Sequence, residues 1–101
     1  MAKVVVAQGV TRQVLASGQG LTVVEFVFRA GSEHPWHSHV HEQASYIKQG
    51  RFKLVLEDKE IVLEEGMAAI IPPHVRHKGM ALTDTVKIDS FTPVREDLVK
   101  D

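Results

Sequence analysis

Along this chain no apolar or β-branched run goes far before a turn signal stops it. Gly9 ends residues 3–7, Ser17-Gly18-Gln19-Gly20 ends 10–16, and Gly31 ends 21–29, the run richest in Val and Phe. Further runs at 44–49, 51–57, 60–63, 67–71, 78–82 and 85–92 are set off by Gly50, Asp58-Lys59, Glu64-Glu65-Gly66 and Pro72-Pro73. In 51–57, Phe52, Leu54 and Leu56 alternate with Arg51, Lys53 and Glu57, the period of a half-buried strand. No segment before Pro93 has helical periodicity. Thr92 as a cap, Pro93 at the first helical position and Glu96 and Asp97 in the first turn predict a short C-terminal helix. Many short strands about ten residues apart predict an all-β sandwich or small barrel.

A length of 101 residues suits a single domain, 1–101, with one hydrophobic core. A net charge of −1 supplies no basic field, so neither nucleic acid nor an anionic membrane is expected as a partner. No cysteine is present, so any metal must be held by nitrogen and oxygen. Residues 4–7 are too short an apolar run for a secretory segment, and no stretch approaches the roughly 20 apolar residues of a membrane span. These features predict a cytoplasmic protein.

Chemistry concentrates in residues 34–43, His-Pro-Trp-His-Ser-His-Val-His-Glu-Gln, which hold four of the six histidines. If this stretch is an extended strand, His37 and His39 leave the same face and can grip one ion. His41 and Gln43 continue that parity and compete for a further ligand position. Glu42 points the other way, into solvent or toward the ligands' outer partners. His34 and His74 read as solvent-facing or pocket-edge residues, and Trp36 as a packing residue beside the ligands. The bland alternative for any histidine-rich stretch is adventitious metal or none.

The spacings carry a resemblance. Gly31, His37, His39, Gln43 and Gly50 have five, one, three and six residues between them, and Gly66, Pro72 and His77 follow with five and four between them. This resembles the two motifs of the cupin superfamily over residues 31–81. Gln43 replaces the usual glutamate, His74 the usual glycine and Ala81 the usual asparagine. The resemblance implies a double-stranded β-helix, or jelly-roll barrel, around a pocket. It further implies a divalent transition metal on His37, His39, Gln43 and His77. Three imidazoles and an amide oxygen suit nickel, iron, manganese, cobalt or zinc better than calcium or magnesium. All four ligands are neutral, so the ion's charge would remain to attract an anionic substrate.

The C-terminal run Asp89-Ser90-Phe91-Thr92-Pro93-Val94-Arg95-Glu96-Asp97 is similar to the ending of small cupins of the KdgF type. That family opens the ring of 4,5-unsaturated uronates to the linear 5-keto-4-deoxyuronate. The resemblance implies a catalytic trio of Asp89, Phe91 and Arg95, with Asp89 as general acid/base, Phe91 against the sugar ring and Arg95 on the carboxylate. The residues alone leave a plainer alternative, with Asp89 on the outer face and Arg95 tied to a tail carboxylate. Fold and ligand set do not select a substrate. A metal-dependent dioxygenase or oxidoreductase, a cyclase-like cupin and a non-catalytic sugar-binding module share them. Small cupins are commonly homodimers, and the apolar strands 4–6 and 23–28 are the ones expected to pair across subunits.

Overall fold

The computed structural model describes residues 2–99. Ten strands and one helical turn follow one another: β1 Val4–Ala7, β2 Val10–Ser17, β3 Thr22–Phe28, β4 Glu33–His37, β5 Glu42–Gln49, β6 Arg51–Leu56, β7 Glu60–Glu64, β8 Ala68–Ile71, β9 His77–Ala81, β10 Thr85–Thr92 and α1 Glu96–Val99. They form a six-stranded sheet in the order β1-β2-β3-β10-β5-β8 and a four-stranded sheet in the order β4-β9-β6-β7. Every pairing is antiparallel. The all-β architecture expected from the turn signals is therefore present, in the two-sheet jelly-roll form that the cupin resemblance implies. Its strands keep to the predicted runs because turn chemistry acts locally.

Each sheet turns one side-chain row inward. Thr22, Val24, Phe26 and Phe28 are buried on β3, and Phe52, Leu54 and Leu56 on β6. Phe28 and Phe52 meet edge to face between the sheets, with centroids 4.9 Å apart at 71°. That contact needs Gly79 on β9, where a Cβ would lie 2.2 Å from Phe52 Cζ. Truncating Phe52, fully buried, would cost about 3–5 kcal/mol through lost transfer energy and the cavity left behind.

Three expectations change. Residues 34–43 are not one strand: β4 ends at His37 in the four-stranded sheet, and β5 begins at Glu42 in the six-stranded sheet. The helix opens at Glu96, not at Pro93. Arg95 N–H donates to Thr22 Oγ1 (2.9 Å), which ties the preceding segment back to β3, and the first turn forms on the Arg95 carbonyl. Finally, β3 pairs with β2 and β10 on its two edges, so residues 23–28 cannot pair with another copy edge to edge. β1 is an edge strand of that sheet.

Candidate metal centre and its cavity

The inner rows of the two sheets meet at one end of the barrel. His37 on β4 and His77 on β9 are direct cross-strand partners, which brings their rings to 4.2 Å between centroids. His39 sits between the sheets, 5.7 Å from the His37 ring and 5.1 Å from the His77 ring. One ligand nitrogen from each of the three lies within 4.8 Å of the others. The second motif is tied to the first through His74, whose N–H donates to the His39 carbonyl (2.8 Å). His74 adopts φ 67°, the left-handed conformation that explains why glycine suits this position.

The three rings share a tautomer. His37 Nδ1–H donates to the Pro35 carbonyl (2.8 Å), His39 Nδ1–H to the His41 carbonyl (3.1 Å) and His77 Nδ1–H to the Val75 carbonyl (2.8 Å). A neutral imidazole has one N–H, so spending it on a carbonyl leaves each Nε2 as a bare lone pair. Burial lowers the pKa of all three, His77 to about 4, so they are neutral at pH 7 without a metal's help. His77 Nε2 is buried and has no hydrogen-bond partner.

Gln43 lies beside this group, against His39. Its Nε2–H donates to Ser45 Oγ (3.1 Å) and to Asp89 Oδ2 (2.9 Å). Its Oε1 therefore faces His39 Nε2 at 2.9 Å, so two lone-pair atoms oppose each other. Such a contact is unfavourable alone but natural for two neighbouring ligands, each about 2.0–2.2 Å from one cation. The orphaned Nε2 of His77 and this acceptor pair both fit a bound divalent transition metal. His41 does not join the group. Its ring packs 6.3 Å from Phe91, and its Nδ1 is buried without a partner. Glu42 is exposed, as its parity predicts.

Asp89 and Phe91 face inward from β10, 1% and 2% exposed, so the plainer alternative for Asp89 is overturned. Asp89 Oδ2 is shared by Gln43 and by Lys87 Nζ (3.1 Å), while Oδ1 is buried without a partner. His37, Gln43, His77, Asp89, Phe91 and Arg95 line one cavity of about 70 Å³, and His39 borders it through its contacts with Gln43 and Phe91. Arg95 stacks on Phe91 (4.7 Å), but its fork is filled by Asp97, at 3.0 Å from Nε and 2.8 Å from Nη2. The tail-carboxylate alternative thus holds for Arg95. Among the described residues the sequence reading missed Lys87, Ser45 and Arg12. Lys87 and Ser45 share the strand parity of Asp89 and Gln43, and that parity could have found them. Arg12 and Lys87 also line the cavity, which gives it a cationic wall. His34 is half-buried against His37 (4.4 Å between centroids), and burial lowers its pKa to about 4. Trp36 is 41% exposed, on the outer surface between Arg76 and Lys78.

Comparison with known proteins agrees with this geometry. A family model described as a cupin domain matches residues 24–87. The chain is 29% identical over 93 residues to the pectin degradation protein KdgF of Dickeya dadantii (strain 3937), covering 90% of this chain and 84% of that protein. The solved structure of KdgF from Halomonas sp. is similar with a TM-score of 0.91 and 33% identity, over 98% of this chain and 94% of that one. An RmlC-like cupin from Shewanella frigidimarina NCIMB 400 gives a TM-score of 0.90 and 35% identity, over 97% and 88% of the two chains.

Proposed function

The chain belongs to the cupin family, and from that premise we propose that it opens the ring of 4,5-unsaturated uronates in the breakdown of polyuronides such as pectin. The observation that carries this reading is the bare, buried Oδ1 of Asp89 in the same cavity as the imidazole cluster. A divalent transition metal would be held by His37, His39, Gln43 and His77 and would supply a Lewis acid for substrate oxygens.

The protein's own groups do the rest. The reaction moves a proton from the hemiacetal hydroxyl at C1 and breaks the ring C1–O bond. It then delivers a proton to C4, leaving a ketone at C5, and no electrons are gained or lost overall. Asp89 is the proton carrier: Oδ2 is held by two donors, so Oδ1 is free to take and return a proton. Phe91 offers a ring face to the sugar. Arg95 is suited to the uronate carboxylate, which would replace Asp97 on its fork. The exchange is feasible because the Asp97 side chain is 59% exposed and returns to water on release. A cavity of about 70 Å³ holds only a few waters. Entry of a sugar therefore requires lining side chains, Arg95 among them, to move.

The reading includes a homodimer, supported by the open edge of β1, where Val4 and Val5 are 42% and 74% exposed. A chain that needs no disulfide also fits the cytoplasm. No described helix is long and apolar enough to cross a membrane. The decisive assay incubates unsaturated uronate monomer with the protein, with and without chelator, following the double bond by ultraviolet absorbance and the product by NMR. Metal-dependent loss with formation of the linear keto acid supports the proposal. Absence of loss with metal-loaded protein rejects it, and oxygen uptake would then point to the dioxygenase alternative.

A further inference from the structure

Lys87 takes no part in the proposed reaction, yet it lies 7% exposed inside the barrel. Its ammonium sits 5.1, 5.6 and 4.8 Å from the ring centroids of Phe26, Phe28 and Phe52. A lysine is seldom buried so deeply without a partner, because its charge loses water on all sides. The aromatic faces replace part of that hydration. Asp89 Oδ2, at 3.1 Å, supplies the counter-charge.

From that oxygen a chain of contacts leads to the metal ligands. Asp89 Oδ2 accepts from Lys87 and from Gln43 Nε2 (2.9 Å), and Gln43 Oε1 faces His39 Nε2 (2.9 Å). The two ends of a glutamine amide have nearly the same shape, and only their partners decide which end points where. Only the oxygen end can ligate a metal. We infer that Lys87 is a positioning residue: by pinning Asp89 Oδ2 it holds the Gln43 amide with its oxygen toward the three imidazoles and leaves Asp89 Oδ1 free. This rests on the metal-site reading above. It adds a group on β10, two residues from Asp89 and outside the ligand set, that tunes the site.

Simple charge reasoning predicts the opposite effect. A cation near a divalent ion repels it, so removing Lys87 as a mere bystander would tighten metal binding. The test titrates Co²⁺ into chelator-stripped wild type, Lys87→Met, Lys87→Gln, Asp89→Leu and Lys87→Met/Asp89→Leu by calorimetry, with circular dichroism as the folding control. Methionine fits an aromatic cage without charge, and glutamine keeps an N–H donor if the methionine variant fails to fold. Wild type binding one equivalent tests the metal reading itself. We expect Lys87→Met to weaken binding by about 10-fold or more, the usual cost of losing a group that orients a ligand. Lys87→Gln should weaken it less. In the Asp89→Leu background Lys87→Met should add nothing, because the path through Asp89 is already cut. Unchanged or tighter binding in Lys87→Met, or full additivity in the double variant, overturns the inference.

Discussion

Strand β10 and the segment from His34 to Gln43 both build the candidate site, in opposite ways. β10 is paired on both edges, with β3 and β5, and Thr85, Lys87, Asp89 and Phe91 form one buried inward row. In the other segment the chain leaves the four-stranded sheet at His37 and enters the six-stranded sheet at Glu42. His39 lies in the crossing. On β10, alternation tells which side chains share a face, and burial of Asp89 and Phe91 shows that this face is the inner one. In the crossing, alternation puts His37, His39, His41 and Gln43 on one face, whereas the structure gathers His37, His39 and His77 and leaves His41 outside. His37 and Gln43 line one cavity because two sheets close on each other, not because one strand carries both. A row held from both sides can keep a carboxylate buried in a fixed pose. A crossing lets ligands from two layers reach one point.

Five perturbations would break or sharpen this contrast. The largest effect should come from the row: Asp89→Ala, assayed at saturating metal, should lower kcat about 10²–10⁴-fold, and unchanged turnover would remove Asp89 from the mechanism. Next is the ligand that joins crossing to barrel. His77→Leu should weaken metal binding more than about a hundredfold, beyond what groups outside a ligand set usually cost. Calorimetry showing full retention would reject His77 as a ligand.

The third perturbation is pH, applied to metal-free protein. Burial lowers the pKa of His34 and His77 to about 4 and depresses His37 and His39. Above about pH 6.5 these groups are neutral whether folded or unfolded, and they give stability no slope. As pH falls below 6.5 the unfolded chain takes up protons first, so stability should drop until about pH 4, where the folded form protonates too. His77, 2% exposed, accounts for on the order of 3 kcal/mol of this loss, and half-buried His34 for less. Denaturant unfolding at pH 7, 5.5 and 4.5 measures it, and a flat profile would contradict neutral burial of the cluster.

Smaller effects test the edges of the two regions. His74→Gly should stabilise the protein by about 1 kcal/mol, since it relieves a left-handed residue at the anchor of the crossing. A fall in melting temperature would show that the histidine side chain contributes more than its backbone costs. Asp97→Asn should lower KM a few-fold without changing kcat, matching the ~1 kcal/mol or less of an exposed ion pair released from Arg95. A raised KM would mean that Asp97 positions Arg95 for substrate.

Much of this was legible in the chain. Turn residues act over a few positions, so Gly50, Glu64-Glu65-Gly66 and Pro72-Pro73 divided the strands without tertiary information. The absence of cysteine restricts any metal to nitrogen and oxygen ligands, and the motif resemblance implies the set His37, His39, Gln43 and His77. Other features were hidden by their dependence on distant partners. Gly79 looks like an ordinary strand residue until Phe52 is seen to occupy the space above it. Strand parity puts Lys87 on the face of Asp89, but the cage of three phenylalanines from β3 and β6 around its ammonium is visible only in the fold. The start of α1 shifts because Thr22, 73 residues before Arg95, takes the Arg95 N–H.

By itself the sequence determined most of the strand boundaries, which side chains share a row, and the donor types available for metal and substrate, because those follow from bond geometry and side-chain chemistry over short spans. Only the tertiary structure decided which lone pairs meet. The Gln43 to Asp89 bond joins residues 46 apart, and the His37 to His77 pairing joins two separate motifs. Such contacts depend on how two twisted sheets close. That closure decided that Gln43 presents its oxygen to the imidazoles, that His41 stays outside their group, and that Arg95 holds Asp97.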